Sequence, residues 1–270
     1  MIRFISLVAA LFTLVAGPVR AGGAEALMSA LRMDDMVALL RDEGLIYGDD
    51  LAASMLPDGA TEAWKRNVSD IYDTGAMKSV IQAQFDAELS EDDIAPLLSF
   101  FETDIGRRIV GLEMSARRAI SDPSVEEASR DFFTGIDGTD DPRLAAVTRY
   151  VEANDLVDYN VVSALNSQFH FYRGLIEGGA LDMDLNEVVA DIWSDEDNTR
   201  QDTRDWVYAY LLMAYQPLPE DELNTYIALS HSAEGQSLNR VLFGAFDKMY
   251  NDISYQLGLA IARQMDVRDL

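Results

Sequence analysis

The chain has 270 residues, with 47 Asp and Glu against 21 Lys and Arg, 2 His and no Cys, for a formal net charge of −26. With 49% apolar and 25% charged residues it is too hydrophobic to be a disordered acidic tail, so a packed core is expected. An acidic surface repels phosphate backbones and anionic headgroups, which sets nucleic acid aside as a partner and favours cationic ones.

Residues 1–21 read as a secretory signal peptide. Arg3 supplies the positive start, Phe4 to Val15 the apolar stretch, and Val19-Arg20-Ala21 a small-x-small cleavage site. The apolar stretch is shorter than the roughly 20 residues that span a bilayer. Cleavage before Gly22 is therefore expected, leaving a periplasmic or secreted protein without a transmembrane span. The lack of Cys removes disulfides, a thiol nucleophile and thiolate metal sites. The chain also lacks the turn punctuation of a many-stranded sandwich, so an all-α protein is expected.

The clearest periodicity runs from Asp93 to Ile120. Ile94, Leu97, Leu98, Phe101 and Ile105 recur at steps of three and four, the spacing of one helical face. The preceding Ser90-Glu91-Asp92-Asp93 supplies a cap and three carboxylates for the positive end of the helix dipole. Thr103-Asp104-Ile105-Gly106 then interrupts the pattern, with Thr103 capping a second helix and Gly106 leaving room for a neighbouring backbone. Ile109, Leu112, Ala116 and Ile120 continue on that helix. Arg107, Arg108, Arg117 and Arg118 form the densest positive group, and a spacing of 11 puts Arg107 and Arg118 on one face. That face either docks the acidic second half or meets solvent with Glu113 as a local counterion.

Residues 134–142, containing Gly135, Gly138 and several Asp, read as a linker. Beyond it the pattern returns. Leu218-Pro219-Glu220-Asp221-Glu222-Leu223 repeats the acidic start, Tyr226 and Ile227 replace Leu97 and Leu98, and Ser232-Ala233-Glu234-Gly235 repeats the capped turn, all 129 positions on. Trp64 and Trp193, Met77 and Trp206, and Ile81 and Tyr210 share that spacing. A spacing of 120 aligns Met36 and Val37 with Leu156 and Val157, and Leu45 with Leu165, so nine additional residues are expected between Leu165 and Trp193. The expected architecture is two tandem copies of a helical unit, 22–133 and 143–270, forming bundles of amphipathic helices.

The Leu-Ser-Glu-Asp-Asp-Ile start, the segment Phe100-Phe101-Glu102-Thr103-Asp104-Ile105-Gly106 and the later Leu-Pro-Glu-Asp-Glu-Leu resemble domain-of-unknown-function family 2059 of exported bacterial proteins. That family shows an acidic helix start, an aromatic, a Ser-Pro-x-x-Gly-like turn and an apolar helix. Here Thr103-Asp104 and Ser232-Ala233 replace Ser-Pro, and Ser230 replaces the aromatic at the position of Phe101. The resemblance implies a helical envelope protein and carries over no catalytic residue or ligand.

The residues themselves offer few chemical signatures. Of the two His, His231 lies beside the second capped turn, and His170 sits in Phe169-His170-Phe171-Tyr172-Arg173, where it and Tyr172 could line a pocket or simply pack. Asp182-x-Asp184-x-Asn186 has calcium-loop spacing, but Glu187 stands where Gly is needed and Trp193 where a bidentate Glu is needed. Paired carboxylates of a hydrolase are unavoidable by chance among 47 acidic residues. Residues 206–215 are apolar all round, as in a buried or interfacial helix, with Trp206, Tyr210 and Met213 on one face.

The sequence therefore favours an exported, non-catalytic binding or structural module, with no cofactor and no metal site expected. Its partner would be an envelope protein or a cationic ligand. Arg107, Arg118, His170, Tyr172, Trp206 and Tyr210 are the interaction candidates. The alternatives are a carboxylate-dependent hydrolase of envelope polymer and a low-affinity divalent-cation binder.

Overall fold

Capping chemistry sets the helix starts. Ser90 accepts from the Asp93 amide while the Asp93 carboxylate accepts from the Ser90 amide, which satisfies two otherwise orphaned donors. Side chains of Thr61, Asp73, Thr103, Asp122, Asp141 and Asp184 cap further helices, each contributing ~1 kcal/mol. Asp184, from the calcium-like spacing, is engaged in this way with Asn186 and Glu187.

The computed structural model describes residues 20–266 and is all-α, with no strand among the described residues. Six helices form the first half: α1 (Arg20–Ala30), α2 (Met33–Met55), α3 (Glu62–Ile71), α4 (Thr74–Glu88), α5 (Glu91–Phe101) and α6 (Asp104–Ile120). Then come α7 (Pro123–Ile136), α8 (Pro142–Ala153), α9 (Leu156–Glu177), α10 (Leu185–Ser194), α11 (Glu196–Tyr215), α12 (Glu220–Ser230) and α13 (Ala233–Asp266). Arg3, the Phe4–Val15 stretch and Val19 of the expected signal lie outside the described residues. Among those described, no helix is long and apolar enough to cross a membrane. The expected linker is shorter than its composition implied, because α7 runs on to Ile136 and α8 starts at Pro142.

The two larger apolar cores each draw helices from both halves of the chain, and a smaller third gathers Val161, Leu165, Val188 and Ile192 of α9 and α10. One gathers Leu27, Val37, Trp64, Ile81 and Leu97 from α1 to α5, and α13 completes it through Leu238, Val241, Ala245 and Met249. The other gathers Val147, Val151, Val207, Leu211 and Leu223 from α8, α11 and α12, and α6 completes it through Ile109 and Ala116. Thus α4 lies against α13 while α11 lies against α6. The α6 and α13 starts are alike: Thr103 Oγ1 accepts from Gly106 N, and Ser232 Oγ from Gly235 N, each at 3.0 Å.

Upstream, two helix starts share a backbone conformation. The turns into α2 and α9 use the left-handed residues Arg32 and Asp155, 123 positions apart. The caps Thr61 and Asp184 keep the spacing of 123. Trp64, in the first turn of α3, is fully buried and its Nε1 donates to the Gly48 carbonyl at 2.8 Å. Trp193, at the far end of α10, is 61% exposed. Helix α11 has 20 residues and α4 has 15.

Candidate ligand-binding cleft

Helix α6 carries an acidic side chain on the edge of its apolar face. The apolar positions Ile109 and Ala116 turn that face toward α8, α11 and α12, and Glu113 between them goes with it. There its carboxylate accepts from the Tyr215 hydroxyl at 2.6 Å, with the Tyr226 hydroxyl near enough to favour its charged form. The Tyr150 hydroxyl donates to that of Tyr226 at 3.2 Å, and the Tyr210 hydroxyl donates to the Glu113 backbone carbonyl at 3.2 Å. Four tyrosines from three helices therefore enclose one carboxyl group.

Glu113, Tyr150, Tyr210 and Tyr226 border a cleft of about 310 Å³ where α6, α8, α9, α11, α12 and α13 meet, and Tyr215 is not part of its lining. Trp206 and Tyr210 stack along one wall, ring centroids 5.3 Å apart and 11° from parallel. Asn160 and Asn239 add amides, and Phe243 and Phe246 close the α13 side. The Arg117 guanidinium lies 5.3 Å from the Trp206 ring centre and is held by Glu43 of α2 at 2.6 Å. Burial pushes the Glu113 carboxyl up to about 7, against the smaller lowering effect of Tyr215 and Tyr226. Burial also drives the hydroxyls of Tyr210, Tyr215 and Tyr226 well above their ordinary range, helped by the Glu113 charge.

Of the six sequence candidates, Trp206 and Tyr210 meet in this cleft and the others lie elsewhere. Arg107 pairs with Asp104 of its own helix at 2.7 Å and donates to the Glu102 carbonyl. Arg118 is exposed. The arginines of that group which reach the second half are Arg108, paired with Glu222 at 2.8 Å, and Arg117 above Trp206. On α9, the His170 Nδ1 is buried without a hydrogen-bond partner, and burial followed by nearby Arg173 lowers its pKa. Tyr172 packs edge-on against Phe171. Sequence reasoning took Glu113 for a surface counterion and overlooked Tyr150, Tyr215 and Tyr226. The available signal was that Glu113 occupies, at the spacing of 129, the position of Leu242.

Among the described residues, no three His, Asp or Glu side chains converge as metal ligands would. Residues 75–134, from α4 through most of α7, match the model of a family described as an uncharacterized protein conserved in bacteria (DUF2059). No curated protein and no solved structure matches the chain.

Proposed function

We propose that this is an exported, non-catalytic binding module of the bacterial envelope, and that the Glu113 cleft is its ligand site. The observation that carries the reading is a preformed aromatic cleft with convergent polar groups and one carboxyl whose pKa is displaced by burial. A two-carboxylate hydrolase needs a second acid about 5 to 10 Å from the first. Among the described residues lining this cleft, Glu113 is the sole carboxyl, which favours binding over hydrolysis.

We further propose that the chain holds two copies of one helical unit, residues 22–133 and 143–270. Support comes from the equal geometry of the Thr103 and Ser232 turns, 129 positions apart, and the left-handed turns 123 positions apart. The cleft then lies where the last helix of the first copy enters the second. Export rests on the residue pattern of 1–21.

The test is production of the full chain in a bacterium, followed by fractionation, intact mass and native mass spectrometry. The expected result is an exported chain beginning at Gly22 that retains a small molecule, with retention lost in Trp206→Ala. Release of soluble fragments from purified envelope polymer, abolished by Glu113→Gln, would reverse the reading in favour of hydrolysis.

A further inference from the structure

The proposed duplication supplies an internal control for the cleft. At the spacings fixed by the turns, Glu113, Tyr150, Trp206, Tyr210 and Tyr226 correspond to Leu242, Leu27, Met77, Ile81 and Leu97. Those five belong to or pack against a single apolar core, with Leu27, Met77, Ile81 and Leu97 fully or almost fully buried. Those five positions are thus filled once by aliphatic side chains, while Asp86, at the position of Tyr215, is exposed. A carboxyl ringed by tyrosines is not what its packing requires, since burying such a group opposes folding and an aliphatic side chain of similar size does not. The polar version has to be explained by what enters the cleft.

The charges narrow the occupant. Arg117, the cation nearest the cleft wall, is already neutralised by Glu43 at 2.6 Å. The groups facing Glu113 are otherwise the hydroxyls of Tyr150 from α8, Tyr210 and Tyr215 from α11, and Tyr226 from α12; α13 and α9 contribute Asn239, Asn160 and apolar side chains. Among the described residues, Arg117 is the sole cation lining the cleft, and its ion pair is with Glu43 and not with Glu113. Aromatic faces attract organic cations, and the Arg117 guanidinium over Trp206 shows that this wall accepts one. The formal charge of −26 draws cations toward the molecule.

We propose that the cleft binds a small organic ammonium ion with an apolar body, its charge paired with Glu113 and its body against the rings of Tyr210, Tyr226 and Phe243. This deepens the binding reading above and rests on it. A primary or substituted amine fits; a free carboxylic acid of the same size is repelled by Glu113. Ionised Glu113 is the binding form, so affinity is level above about pH 7 and falls tenfold per unit below it as the carboxyl takes up its proton.

The test uses three probes of one shape on the full chain by titration calorimetry at pH 8: phenethylammonium, 2-phenylethanol and phenylacetate. The expected result is binding of phenethylammonium at least tenfold tighter than the alcohol, no binding of phenylacetate, and loss of that tenfold preference in Glu113→Gln. Glu113→Leu, which installs the aliphatic side chain found at position 242, is expected to lose the preference while raising the thermal midpoint, a combination that a purely structural carboxyl does not give. Equal affinity for the alcohol and the ammonium, abolished by Trp206→Ala, would overturn the cation assignment and leave the binding reading standing. Failure of all three probes to bind would overturn both.

Discussion

At the scale of single residues, Glu113 makes stability depend on pH in an unusual direction. Its ordinary value of 4.5 applies to the unfolded chain, while burial raises the folded value to about 7. The folded state therefore holds a proton that the unfolded chain has given up. Stability from this group is complete below pH 4.5 and is lost as pH rises through 7, by about 3 kcal/mol in all. Glu113→Gln keeps an acceptor for Tyr215 and has no proton to lose. Urea unfolding of both proteins across pH 4 to 8 should give similar stabilities at the acid end and a growing advantage for the variant above it; parallel curves would contradict the assignment. Position 113 was hard to read in the sequence because a Glu on a helix among four arginines is explained equally well by surface pairing. Only the rotation of α6, set by Ile109 and Ala116, carries it inward.

At the scale of elements, local signals were legible where they act locally. Ser90, Thr103 and Ser232 cap the helices their spacing implied, because a cap needs only the next three residues. A Cβ at Gly106 would stand 2.4 Å from the Phe100 carbonyl oxygen, and one at Gly235 2.0 Å from that of Leu229. Gly106→Ala and Gly235→Ala should each destabilise by about 1–3 kcal/mol, seen as lowered urea midpoints at unchanged slope. The α9–α13 crossing was not legible. Gly174 and Gly258 meet there, where a Cβ would stand 2.3 Å from the Tyr255 carbonyl oxygen and 2.2 Å from that of Phe171 respectively. Their closeness depends on two helices far apart in sequence, so no periodicity within either reveals it. Gly258→Ala should push the helices apart and lower the thermal midpoint by several degrees, whereas Gly111→Ala, with open space around it, should not. Trp64 and Trp193, 129 positions apart, sit at different turns of their helices, Trp64 in the first turn of α3 and Trp193 at the end of α10, and only Trp64 is buried.

At the scale of the molecule, each half lacks a wall that the other supplies. A fragment of residues 22–137 would contain α1 to α7 but not α13, leaving the core side of Met77, Ile81 and Leu97 uncovered. It would also expose Ile109 and Ala116 of α6, which have their partners in the second half. The complementary fragment, 138–270, would lose α6 from its own core and keep α13 with no α4 to cover. Both losses remove apolar burial at about 25 cal/mol per Å² from the core of each unit. Alone, each fragment should retain helical far-UV circular dichroism but show no fixed near-UV signal and no cooperative thermal transition. Mixed in equal amounts, they should recover both, since the exchanged helices α6 and α13 regain their cores. Ion pairs such as Arg108–Glu222 would add little to that recovery because they are partly exposed, so it should survive moderate salt. A cooperative transition in the isolated 22–137 fragment would show instead that α13 rests on a core already complete. The capped turns at Thr103 and Ser232 were visible in the sequence, but which half closes which core depends on helix faces far apart in the chain, and that became legible only in the packed structure.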